Sequence, residues 1–152
     1  MNIEKFWVII KKLSKTNSPA KRDKLLYDHC NCDSAIREFV AVYDSYYEIL
    51  HQKFLNTWSY HDSNGIIDMA EDTYYMFITY LLTLGISSIK KLYNSSDEEL
   101  IPYLISFKYY PNLHTYMDEL RLKNYKFHGA DSYKIYELTE EIKQEIKKSL
   151  NY

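Results

Sequence analysis

The stretch Glu71-Asp72-Thr73-Tyr74-Tyr75-Met76-Phe77-Ile78-Thr79-Tyr80-Leu81-Leu82-Thr83-Leu84-Gly85 decides the fold. Two carboxylates open it, a helix-length apolar run follows, and a glycine closes it. Carboxylates in a first helical turn complement the helix dipole, and a glycine just past the end suits a left-handed cap. A helix apolar on nearly every side has no face to show to water, so it is expected at the centre of a bundle.

Working outward, the flanking segments also read as helices. Asn2 is placed to cap a first helix with Ile3, Phe6, Trp7, Ile10 and Leu13 on one stripe and lysines on the other. Ser18-Pro19 is a cap followed by a first-turn proline and opens a second helix to about His29. Asp33 or Ser34 caps a longer third helix. Its apolar positions Ile36, Phe39, Val40, Tyr43, Tyr46, Tyr47, Leu50, Phe54 and Trp58 recur every three to four residues. Its length predicts a break near Gln52. His61-Asp62-Ser63-Asn64-Gly65 reads as a loop, and Asp68 to Glu71 has capping-box spacing.

Beyond Gly85, Ser87 or Ser88 is expected to open a short helix through Tyr93. Ser95 and Ser96, each three residues before Glu98 and Glu99, mark the next start, with Pro102 in its first turn or at a kink. Tyr109-Tyr110-Pro111 is a break, and Asn112 or His114 begins a helix through about Lys123. Phe127-His128-Gly129-Ala130 is a turn, and Thr139 opens a terminal helix striped by Ile142, Ile146 and Leu150. The expectation is an all-α chain, one domain over residues 1–152, with six to eight helices around the central apolar one. Three glycines and three prolines argue against a many-turned β fold.

At 152 residues the chain can bury roughly 70% of the surface that it exposes unfolded. A net charge of −2 suggests neither nucleic acid nor anionic membrane as partner. The charge is uneven, however. The first thirty residues are rich in lysine, whereas residues 61–100 hold seven carboxylates against Lys90 and Lys91. Seventeen tyrosines, including the pairs Tyr46-Tyr47, Tyr74-Tyr75 and Tyr109-Tyr110, suit a recognition surface. They equally suit AT-rich codon usage and core packing, with hydroxyls reaching the boundary. The absence of a signal peptide or bilayer-length apolar run predicts a cytoplasmic protein, and Cys30 and Cys32 are expected as free thiols.

From Phe6-Trp7 to about Leu100 the chain resembles the bacterial domain-of-unknown-function family 4240. Phe6-Trp7 matches the family's opening helix, Asn64-Gly65 part of a loop, and Glu71-Asp72 its acidic pair. Tyr74, Phe77, Tyr80, Leu81, Leu82 and Gly85 match its aromatic helix, and Ser96-Asp97 with Leu100 its Asp-rich turn. Ile78 and Ile86 stand where the family carries arginine, so an acid–arginine arrangement is missing here. The resemblance implies an all-helical intracellular bacterial protein and no particular activity.

Candidate chemistry is sparse. Asp68, Glu71 and Asp72 lie at i, i+3 and i+4, with Asp62 and His61 in the preceding loop. Oxygen ligands so spaced suit Mg²⁺ or Ca²⁺ in a small metal-dependent hydrolase. They also serve as capping groups, each contributing roughly 0.3–1 kcal/mol, or as a surface for a basic partner. Cys30 and Cys32, separated by one residue with no second pair, do not fit zinc. The other histidines are scattered, and neither phosphate loops nor a nucleophile elbow occur. The expectation is therefore a binding protein that works without catalytic residues, cofactor or metal. Its most concrete form is an immunity protein that covers a basic toxin domain with Asp62, Asp68, Glu71 and Asp72. Tyr74 or Tyr75 would be its aromatic anchor. A homodimer built on the Tyr-rich helices is a further reading.

Overall fold

A computed structural model describes the backbone of residues 1–63, 71–105, 111–127 and 132–151. Side chains are described for these residues except 57–63, 71–73, 97, 105, 111–112, 124–127 and 132–138. Among the described residues there are eight α-helices, one 3-10 turn and no strand. The all-α expectation is thus met. No helix among them is long and apolar enough to cross a membrane.

Local signals set the first two helices. The Asn2 side chain accepts the Glu4 amide at 2.7 Å and starts α1, Ile3–Ser14, which buries Phe6, Ile9, Ile10 and Leu13. Ser18 and Pro19 start α2, Pro19–Cys30, and Asn31 ends it in the left-handed conformation at φ 64°. Cys30 is buried at that end and Cys32 is exposed. Arg22, 4% exposed, lies over the Tyr116 ring, whose hydroxyl donates to Asp23 at 2.8 Å.

The third helix, α3, runs unbroken from Asp33 to Ser63, so the expected break at Gln52 does not occur. Propensity alone favours short helices, but packing along the length of a helix overrides it. Here α3 packs against α1, α2, α4, α7 and α8. The loop expected from His61 is likewise corrected in part, since residues 61–63 are still helical.

The decisive stretch forms α4, Glu71–Thr83, which packs against α1, α3, α5 and α7. Tyr74 and every residue from Phe77 to Leu82 are buried, as an all-round apolar helix requires. Gly85 departs from the left-handed cap: at φ 88° and ψ 166° it holds an extended, glycine-only conformation at the start of α5, Ile86–Tyr93. The next helix begins at once, so the chain needs a sharp redirection there rather than a curl.

A 3-10 turn, Asp97–Leu100, then leads into the short α6, Ile101–Ile105, with Pro102 in its first turn. Neither serine caps this start as expected. Ser96 makes no side-chain cap bond, and the Ser95 hydroxyl donates back to the Lys91 carbonyl. The last helices are longer than their sequence signals. α7 covers Pro111–Phe127 and α8 covers Ser132–Leu150, seven residues ahead of the expected start at Thr139. Helix α8 lies along α3, where the Thr139 carbonyl meets the Ser45 hydroxyl at 3.1 Å and Lys143 pairs with Glu48. One core cluster runs from Phe6 of α1 to Leu150 of α8.

Candidate functional site

The middle of α4 carries a polar chain in an otherwise apolar setting. The hydroxyls of Tyr43 on α3 and Thr79 on α4 lie 3.1 Å apart, and Thr79 Oγ1 lies 3.1 Å from His114 Nδ1 on α7. His114 Nε2 is 3.3 Å from Asp118 Oδ2, and the other Asp118 oxygen is 3.3 Å from Arg121 Nη1. Arg121 Nε closes the chain on Asp44 of α3 at 2.6 Å. A consistent proton assignment has Tyr43 donating to Thr79, Thr79 to Nδ1, and Nε2–H to Asp118.

Electrostatics agree with this pairing. Burial works against the Arg121 charge, but Asp44, Tyr43 and Asp118 outweigh it and hold the guanidinium above its ordinary value. The Arg121 guanidinium also lies 5.3 Å from the centre of the Tyr47 ring. Burial pushes the Tyr43 and Tyr47 hydroxyls well above the usual tyrosine range.

Thr79, His114 and Asp118 follow the order of a nucleophile, its base and an orienting acid. Accessibility rules that use out. Thr79 is 1% exposed, and its hydroxyl is enclosed by Tyr43, His114 and the Tyr75 carbonyl. A reacting group has no way in, so the chain ties α3, α4 and α7 together. Sequence reasoning set His114 aside as scattered and missed Asp44 and Arg121. The available signal was Asp44 itself, a carboxylate inside the apolar run from Phe39 to Leu50.

The start of α4 is built differently. The Tyr74 hydroxyl donates to the His51 carbonyl at 2.6 Å, and the Tyr75 ring stacks on the His51 ring at 5.6 Å with 11° between planes. Tyr74 is 2% exposed. As an anchor for a partner it is therefore corrected to an internal strut, because its ring and hydroxyl are both spent inside. Tyr75 is part-buried. Leu55, four residues past His51 on α3, is 40% exposed and carried no sequence signal.

Of the carboxylates, Glu71 and Asp72 are the first two residues of α4, and Asp62 falls in the last turn of α3. Their side chains and all of Asp68, with its capping-box spacing, lie outside the described residues. Among the described residues no three His, Cys, Asp or Glu side chains come together as a metal site. The fold is a helical bundle in which the start of α4 is tied to α3 through His51. No family model, curated protein or solved structure matches the chain.

Proposed function

We propose that the protein is a binding module, in its most concrete form an immunity protein that neutralises a basic toxin domain by covering it. The observation that most supports this reading is the clamp of Tyr74 and Tyr75 on His51. It fixes the backbone that carries Glu71 and Asp72 before any partner arrives, and pre-organisation of this kind reduces the ordering cost of association. Carboxylates at such an edge draw a basic surface into the correct orientation and speed encounter. Part-buried Tyr75 on α4 and exposed Leu55 on α3 offer apolar contact surface. Covering an active site needs no chemistry from the module, which fits the enclosed polar chain. A bacterial, cytoplasmic setting belongs to the same proposal.

The test is capture of a partner from the native cell with tagged protein, at low and high salt. A stoichiometric partner, released by salt and lost with Glu71→Lys/Asp72→Lys, is the expected result. A partner held equally by the reversed variant would remove the acidic edge from the interface.

A further inference from the structure

At the opposite end of α4 a groove of about 370 Å³ lies between α1 and the turn into α5. That volume falls in the range of small-ligand clefts, roughly 300–1,000 Å³. Its apolar lining includes Trp7, Ile10, Leu82 and Leu84. Lys11 on α1 and Lys15, its C-cap residue one turn further on, also line it, both exposed, and among the described residues no carboxylate does. Among the described residues neither ammonium is held in an ion pair.

The backbone adds to this field. No side chain caps α5, so its first amides keep no intrahelical acceptor and the positive end of its dipole remains uncompensated. A Cβ on Gly85 would meet nothing within 4 Å, so open space lies in front of this turn. Among the described residues the two charged side chains that line this apolar trough are both lysines, and an anion with an apolar body is complementary to that lining.

We propose that this groove binds an amphiphilic carboxylate, its hydrocarbon part in the trough and its anionic group drawn by Lys11 and Lys15. An apolar body alone would make no use of the two ammonium groups, and a small inorganic anion would leave the trough unfilled. The site is separate from the α3–α4 edge and does not depend on the function proposed there.

The probe is decanoate, titrated calorimetrically into the full chain below its micelle-forming concentration, with 1-decanol as the neutral analogue. Saturable one-to-one binding is expected, at least about tenfold tighter for the carboxylate. In Trp58→Phe, which leaves Trp7 as the sole tryptophan, decanoate should change the emission over the same concentration range. Lys11→Glu/Lys15→Glu should weaken binding about tenfold and the neutral Lys11→Gln/Lys15→Gln by less. The equal charge change Lys21→Glu/Lys148→Glu should leave it within twofold. Circular dichroism checks that each variant is folded. Absence of decanoate binding would overturn the proposal. So would equal affinity for decanol, or affinity unchanged by reversal of Lys11 and Lys15.

Discussion

The two ends of α4 contrast with each other and with the turns between them. Its start carries Glu71 and Asp72 and is clamped to α3 through His51, whereas its end turns at Gly85 against a groove flanked by Lys11 and Lys15. Between them Phe77 to Leu82 are wholly buried, and Thr79 is absorbed into the polar chain. The same helix thus has a structural middle, a start that carries two carboxylates, and an end that lies beside the lysines of α1 and its cap. Changes in the middle should alter stability, and changes at the ends should alter binding.

The largest expected effect is alkaline. Burial holds the hydroxyls of Tyr43, Tyr47, Tyr74 and Tyr116 well above their ordinary value. The folded state therefore keeps protons that the unfolded chain releases above about pH 10. Stability intact below that pH is lost above it, by about 1.4 kcal/mol per pH unit for each tyrosine, or about 5.6 for the four. Part of the tyrosinate absorbance, that of the four buried rings, should appear only together with loss of helical circular dichroism. Ionisation of these tyrosines with the helices intact would show that water reaches the middle.

Next comes Asp44→Ala, which leaves Arg121 with Asp118 as its remaining carboxylate. Denaturant unfolding should show a loss of about 3 kcal/mol, and Asp44→Leu/Arg121→Met should lose less, since both charges then go together. Equal losses would mean that the pair is already well solvated. Tyr74→Phe removes one hydrogen bond and should lose about 1 kcal/mol in the same assay. Smallest is Glu71→Lys, at roughly 0.3–1 kcal/mol, where only a helix-end charge is reversed. A loss above about 2 kcal/mol there would make the start of α4 structural and blunt the contrast.

Much of the architecture was legible because its signals are local. Asn2 and Ser18-Pro19 act within one turn, and the run from Tyr74 to Leu82 states its own burial. The unbroken α3 was not legible, because what keeps Gln52 helical is tertiary packing along α3, including α4 docked one residue away at His51. The polar chain was hidden for the same reason. Asp44, Thr79 and His114 sit on three helices far apart in sequence, and nothing in their neighbours announces their meeting. The acidic pair was visible as a pair, but the strut role of Tyr74 was not. A tyrosine facing a carbonyl and one facing solvent share the same sequence signature.

The most direct measurement is partner affinity for three proteins: the wild type, Glu71→Lys/Asp72→Lys and Asp44→Leu/Arg121→Met, each verified as folded. If the ends of α4 bind and its middle only supports, the acidic reversal abolishes salt-sensitive capture and the middle variant retains it. Capture lost with the middle variant and kept by the acidic reversal would contradict the account and place recognition at α7.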